Sequence, residues 1–324
     1  MKYQFALENF DSIYDDWKKL HDKLPAGSIF SSPEWSKTWW QQFGSGRLYL
    51  GVVRQENRVI GVAPLLIKGD TASFIGSVDV CDYLDFVVAT GSEDAFYGEL
   101  LDNLRIDGIP QLELTPLRHE STVQTSLINI APKHNWKASC SQEDVTVELD
   151  LPSSWEGYLQ SLSGKQRHEL NRKLRRLNEE GDLNYRTSLD ANQYDVDIFL
   201  QLFRNSRKDK AAFLTPQMES FFRAVAHTMA EQKLLRLAIL ELDKKPVAAT
   251  MCFDYKDTVY LYNSGYEPDY GWLSVGVISK ALCIKDSIER NKKLFDFLKG
   301  DEAYKYHLGG QEQPLFSCSL SYES

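Results

Sequence analysis

Two stretches of the chain repeat one alternation of apolar and polar positions. Residues 48–67 read LYLGVVRQENRVIGVAPLLI, and residues 235–254 read LRLAILELDKKPVAATMCFD. Each is an apolar run, a short polar turn and a second apolar run, as in a hairpin of largely buried strands. They align without a gap, so that Glu56-Asn57-Arg58 falls on Asp243-Lys244-Lys245 and Asp70-Thr71 falls on Asp257-Thr258. Each then enters a third apolar run, ASFIGS or VYLYNS, so each block predicts a three-stranded antiparallel meander. Upstream, FSSPEW at 30–35 resembles FLTPQM at 213–218. Ser32 and Thr215 suit helix N-caps, with Pro33 and Pro216 at the first helical position. A helix followed by three strands, twice in the same order, points to an internal duplication.

The pattern downstream of each meander extends the units. In WLSVGVISKALCIKDSIERN, Leu273, Val277, Ala281, Ile284 and Ile288 form a helical stripe. LFDFLKG at 294–300 reads as a buried strand that ends at a turn glycine. The first block continues through Tyr83-Leu84-Asp85-Phe86, a helix near 93–105 and a strand at 111–115. The boundary falls near 149–154, where VTVELDLPSS ends a strand at a proline and serines. The expected units are residues 1–150 and 151–324. Within the second, a helix at 163–180 carries a leucine face (Leu170, Leu174, Leu177) and six cations, Lys165, Arg167, Arg172, Lys173, Arg175 and Arg176, with Gly181 as its stop.

Composition narrows the function classes. A chain of 324 residues with 43% apolar and 26% charged positions can bury two cores. Its net charge of −9 speaks against a large nucleic-acid footprint, and so against DNA as a partner. The start shows no signal-peptide pattern, and no window is apolar enough for a membrane span. Cys81, Cys140, Cys252, Cys283 and Cys318 are odd in number and scattered, which reads as reduced thiols in a cytoplasmic protein. The six histidines show no ligand spacing, so no metal site is expected. The oligomeric state is not legible.

Five segments occur in a telling order: FSSPEWSKTWW, VIGVAPLLI, DYLDF, the basic K-x-R-x-E-L-x-R-K-L-R-R-L helix, and FDFLKGDEAYK. Over about residues 28–306 the chain resembles the acetyltransferase-like family of CelD-type and BioF-type bacterial proteins. That family lies within the GNAT superfamily and is related to the Fem-type aminoacyltransferases of peptidoglycan synthesis. The resemblance implies an α/β (α+β) fold of two tandem GNAT-like units, each with a mixed, mostly antiparallel sheet flanked by helices. It also implies an acyltransferase that moves an acyl group, most simply acetyl from acetyl-CoA, to an amine or hydroxyl of a small acceptor such as an amino sugar or cell-envelope precursor. The Fem relatives leave aminoacyl-tRNA as an alternative donor, although no long heptad arm is visible. A binding protein on a degenerate scaffold is a further alternative.

In a GNAT fold two strands splay after the meander, and the next helix presents its first amides to the coenzyme A pyrophosphate. Here that helix starts near Trp272–Gly276, which makes Ser274 and Gly276 cofactor-binding candidates. The sequence has Ser-Val-Gly where the family often has Ser-Pro-Gly, and no basic residue precedes it. Alternatively these glycines serve only a turn and close packing. Lys165, Arg167 and Arg172 are candidates for the donor phosphates, against a plain solvated face. After the strand at 294–300, Asp301 or Glu302 could act as general base, Tyr304 could protonate the departing thiolate, and Lys305 could stabilise an oxyanion. The competing reading there is a solvated turn with an ion pair. Asp82, Tyr83 and Asp85 are candidate acceptor-binding groups, against a strand-end turn. Arg207 is a further substrate-binding candidate, although a cation closing a helix also complements its dipole. Cys81 and Cys283 read as buried structural thiols rather than nucleophiles.

Overall fold

The computed structural model describes residues 2–25 and 27–322. Along the chain the elements are β1 (Tyr3–Glu8), α1 (Phe10–Lys23), α2 (Pro33–Phe43), β2 (Arg47–Gln55), β3 (Arg58–Lys68), β4 (Thr71–Phe74), β5 (Val87–Val88), α3 (Glu93–Ile106), β6 (Gln111–Arg118), α4 (Ile128–Ile130) and β7 (Trp136–Asp150). Then come α5 (Trp155–Ser161), α6 (Gly164–Glu180), β8 (Leu183–Ser188), α7 (Gln193–Ser206), α8 (Lys208–Phe213), α9 (Pro216–Glu231), β9 (Leu235–Leu242), β10 (Lys245–Tyr255) and β11 (Thr258–Tyr266). The chain continues with α10 (Val275–Glu289), β12 (Leu294–Lys299), α11 (Ala303–His307) and β13 (Gln311–Tyr322). Two compact units result, Met1–Val145 with Gln313–Ser324, and Thr146–Glu312. The last strand, expected in the second unit, thus groups with the first, because β13 pairs antiparallel with β6 from Leu315↔Arg118 to Ser321↔Gln111.

In the first unit β2, β3 and β4 form the expected antiparallel meander, with β1 added alongside β2. In the second, β9, β10 and β11 do the same, with β8 alongside β9. Each meander follows a helix capped as the sequence indicates. Ser32 Oγ accepts the Trp35 amide at 3.2 Å, and Thr215 Oγ1 accepts the Met218 amide at 3.2 Å. The third meander strand then pairs parallel with the strand that follows the crossover helix. This pairing is Thr71↔Gln111, Ala72↔Leu112, Ser73↔Glu113 in one unit and Thr258↔Leu294, Val259↔Phe295, Tyr260↔Asp296 in the other. Thr71 and Thr258, matched by the ungapped sequence alignment, therefore hold equivalent register positions. The fold is a duplicated, mixed α/β one.

The units are filled differently. In the first, beside β4, Phe74, Phe86, Phe96 and Tyr97 are all buried. Their rings meet at 4.9 Å (Phe74–Phe86), 5.8 Å (Phe86–Phe96) and 5.5 Å (Phe86–Tyr97). In the second, Leu170 of α6 joins Ala281, Ile284 and Ile288 of α10 in a core with Phe295 and Phe297 of β12. The buried face of α10 also includes Val275, Ile278 and Lys280, whereas Val277 stays half-exposed. The stripe read from the sequence is thus rotated slightly at its start.

One expectation is overturned within the first unit. Cys140 and Cys318 form a disulfide, with their Cα atoms 4.1 Å apart and a sequence separation of 178. Spacing along the chain carries no sign of it, because the two meet only through the return of β13. Cys81, Cys252 and Cys283 are buried free thiols. Among the described residues, no helix is long and apolar enough to cross a membrane.

Candidate functional site

The parallel pairing of β11 with β12 stops after three residue pairs. β11 runs on to Tyr266 while β12 bends away. Leu298 takes a left-handed conformation, φ +64, and its amide donates to Asp296 Oδ1 at 2.8 Å. Gly300, φ +103, completes the turn into α11. The far half of β11 is thus left without a strand partner on its β12 side. Its position is fixed from behind, because a Cβ on Gly265 would lie 2.2 Å from the Phe203 amide of α7.

A cavity of about 370 Å³ opens at this divergence. One wall is the start of α10. A short 3₁₀ turn (Pro268–Leu273) leads to Ser274, which is left-handed at φ +61 and makes no side-chain cap. The Ser274 carbonyl accepts the Val277 and Ile278 amides at 3.0 Å each. The amides of Val275 and Gly276 are among those a helix start leaves without an intrahelical acceptor. At Gly276 the helix packs tightly on the side chain that ends β11, since a Cβ there would approach the Tyr266 ring to 3.1 Å.

The other walls bring charge. Lys280, one turn into α10, is buried. Its Nζ donates to the Gly276 carbonyl at 2.9 Å and lies 4.8 Å from the centre of the Tyr304 ring. Burial, reinforced by the nearby Lys210 charge, pulls its pKa down to about 7. Lys210 Nζ donates to the Ser264 carbonyl on β11 at 2.6 Å, and burial lowers its pKa to about 8. Tyr304 also lines the cavity, and burial raises its pKa, so its phenol keeps its proton. Glu302 lines it too. Burial pushes this carboxyl up, but the Lys305 hydrogen bond and charge outweigh that and hold it below its ordinary value. Arg207 is present at the rim, already forked onto Asp209 at 2.9 and 2.7 Å.

Of the residues singled out from sequence, this cavity gathers Ser274, Gly276, Glu302, Tyr304 and Arg207. The structure places five further candidates, Lys305, Asp301, Arg172, Arg167 and Asp85, in other surroundings. Lys305 does not offer a free charge. It is buried, and its Nζ donates to the carbonyls of Leu298, Lys299 and Gly300 at 2.8, 2.7 and 2.9 Å while pairing with Glu302 at 2.9 Å. It ties the end of β12 to α11 and has no proton left for an oxyanion. Asp301 is exposed and outside the lining. Arg172 forks onto Glu169 of its own helix at 2.9 and 2.8 Å, and Arg167 reaches only toward the Leu159 carbonyl at 3.5 Å. Asp85 is spent on backbone order in the first unit. Its oxygens accept the Thr122 amide at 2.7 Å, the Thr122 hydroxyl at 2.8 Å and the Phe86 amide at 2.9 Å. Burial still raises its pKa to about 7.

Tyr83 is buried with its ring 5.3 Å from Phe30 and 4.9 Å from the Arg118 guanidinium. Asp82 is half-buried beside it. Lys165 borders a second cavity in the same unit, about 550 Å³, between α6, α10 and α11, and Val277 lines both cavities.

Sequence reading missed Lys210 and Lys280. Lys210, three residues after Arg207, carries only the same helix-end signal in the sequence. Lys280 sits between the apolar positions Val277, Ala281 and Ile284, and a lysine embedded in a core stripe was the available signal.

Comparison with known proteins places this architecture. The family described as "Acetyltransferase (GNAT) domain" matches residues 164–306. That segment is similar to a GNAT acetyltransferase domain. The matched stretch takes in α6, the second meander, α10, β12 and nearly all of α11, so both cavities lie almost wholly within it. Similar solved structures extend the likeness over the whole chain. FemX covers 97% of this chain and 96% of its own, at 12% identity and a TM-score of 0.67. The C-terminal domain of a putative lysylphosphatidylglycerol synthetase from Agrobacterium fabrum covers 96% and 92%, at 11% identity and 0.60. A tandem GNAT protein from the clavulanic acid biosynthesis pathway covers 100% of both chains, at 12% identity and 0.55. At such identities the likeness is one of fold, and it matches the duplication seen here. No curated protein matches the chain by sequence.

Proposed function

We propose that the second unit transfers an acyl group, most simply acetyl, from acyl-CoA to the amine or hydroxyl of a small acceptor such as an amino sugar or cell-envelope precursor. The observation that carries this reading is the divergence of β11 from β12, with the cavity at the start of α10. A thioester arm fits along an unpaired strand edge, and the first amides of α10 suit a pyrophosphate. Lys165, at the neighbouring cavity, is suitably charged for a further donor phosphate. Tyr304, kept protonated by burial, is suited to give its proton to the departing thiolate. Direct attack in a ternary complex needs no covalent enzyme intermediate, and the free thiols are buried.

A second reading is favoured by one feature. The Ser264 carbonyl, on the strand edge where a thioester arm would pair, is already held by Lys210. With the whole-chain likeness to FemX, that favours an aminoacyl-tRNA donor of the Fem type. Titration calorimetry separates the two. Coenzyme A and acetyl-CoA should bind with micromolar affinity while deacylated tRNA binds far more weakly. The opposite ranking would replace the first reading by the second, and binding of neither would leave a scaffold without donor chemistry.

A further inference from the structure

We propose that Lys280 is the proton acceptor for the attacking group of the acceptor substrate, a role that the carboxylates beyond β12 do not fill. The inference rests on acyl transfer occurring in the α10 cavity. An amine arrives as an ammonium and first gives one proton to solvent; the neutral amine, like a hydroxyl, must then give up one further proton as it attacks a carbonyl carbon. The cavity holds one carboxylate, Glu302, and Lys305 engages it at 2.9 Å. A carboxylate so paired has little appetite for a proton. Asp301 stands outside the lining.

Lys280 has the opposite surroundings. Its stem is buried in α10, its only hydrogen bond among the described residues is to the Gly276 carbonyl, and no carboxylate lies within ion-pair distance. The groups around it are Lys210 from α8, which repels its charge, and Glu302, Cys252 and Cys283, which favour it, with Arg207 at the α7–α8 junction lining the same cavity. Tyr304 presents a ring face to its Nζ. Desolvation and the like charge of Lys210 prevail, so near neutral pH a large fraction of Lys280 is the free amine. The same Nζ lies beside the helix start assigned to the donor, separated from it by one turn.

The proton and electron balance closes without another reactant. Nζ of Lys280 takes a proton from the attacking nitrogen or oxygen. The new bond to the acyl carbon forms, the carbon–sulfur bond breaks, and the thiolate takes a proton from Tyr304. The Lys280 ammonium then returns its proton to the Tyr304 phenolate through solvent in the cavity. The net transfer is one proton from acceptor to thiol.

Water can serve as the probe acceptor, so the test needs no knowledge of the natural one. Lysine side chains labelled at Cε and Nζ are titrated by NMR in the full chain, with the Lys280 signal assigned by its loss in Lys280→Met. Thiol release from acetyl-CoA is followed in parallel, and coenzyme A affinity is measured for both proteins. Lys280 should titrate near pH 7. Wild-type thiol release should rise through the same pH, and Lys280→Met should lose that inflection and about 10²-fold in rate with coenzyme A affinity unchanged. An Nζ that stays protonated above pH 9, or a Lys280→Met protein with undiminished release and the same inflection, overturns the proposal. If coenzyme A does not bind the wild-type chain, the donor reading fails instead, and with it the assignment built on it.

Discussion

Lys280 and Lys305 are both buried lysines of the second unit, and their neighbours give them different work. Lys305 has three carbonyls and a carboxylate around one ammonium, a set that satisfies every proton it carries. Replacing it removes the donor and leaves those carbonyls unanswered in a closed turn, which costs roughly 1–3 kcal/mol for each group left buried and unsatisfied. Lys305→Met should therefore lower the unfolding free energy by at least ~2 kcal/mol, seen as a lower urea midpoint. Glu302→Gln, at a largely exposed carboxylate, should change it by less than ~1 kcal/mol. The residue types after the FDFLKG strand were legible in the sequence, and their division of labour was not. A Lys-Gly-Asp-Glu-Ala-Tyr-Lys run does not reveal which lysine folds back onto the turn. Asp85 was misread for the same reason, since its partner Thr122 is 37 residues away.

At the scale of elements, the alternation of the meanders and the capped helices before them could be read directly. Those signals are local: alternation, turn residues, and a hydroxyl before a proline. The divergence of β11 from β12 has no such signature. It depends on the left-handed Leu298 and on the backing of β11 by α7. That backing can be tested. Gly265→Ala places a methyl where backbone already stands, 2.2 Å from the Phe203 amide. It should cost about 1–3 kcal/mol or more through overpacking. Gly271→Ala, where the nearest atom would be 3.9 Å away, should be close to neutral. Equal melting temperatures for the two variants would show that α7 does not hold β11 in place.

The whole molecule registers the buried lysines as a dependence of stability on pH. Between their native values, about 7 for Lys280 and about 8 for Lys210, and the ordinary lysine value near 10.4, the unfolded chain binds protons that the native chain does not. Stability therefore rises with pH across that interval, by up to about 1.4 kcal/mol per pH unit for each lysine. Asp85 acts with the opposite sign and lower down. Its raised native value means that stability held below the ordinary carboxyl range is lost as pH climbs toward 7. Thermal melts from pH 7.5 to 9 should show an increasing midpoint, and Lys280→Met should raise the midpoint at pH 7.5 and flatten the trend. A midpoint falling over that interval would contradict the burial of these ammonium groups. The Cys140–Cys318 bond belongs to this scale as well. A pairing across the length of the chain is a property of the folded topology, and no reading of cysteine spacing could supply it.

The aromatic cluster of Phe74, Phe86, Phe96 and Tyr97 beside β4 bears on stoichiometry. Two copies of one architecture suggest two seats for a donor. Yet the copy that keeps the same three-pair parallel register packs four interlocked rings beside β4, and the pocket described there, lined by Tyr83, Asp85 and Arg118, is far smaller than the one at α10. Calorimetric titration with coenzyme A should therefore saturate at a single equivalent per chain, with no second, weaker phase at higher concentration.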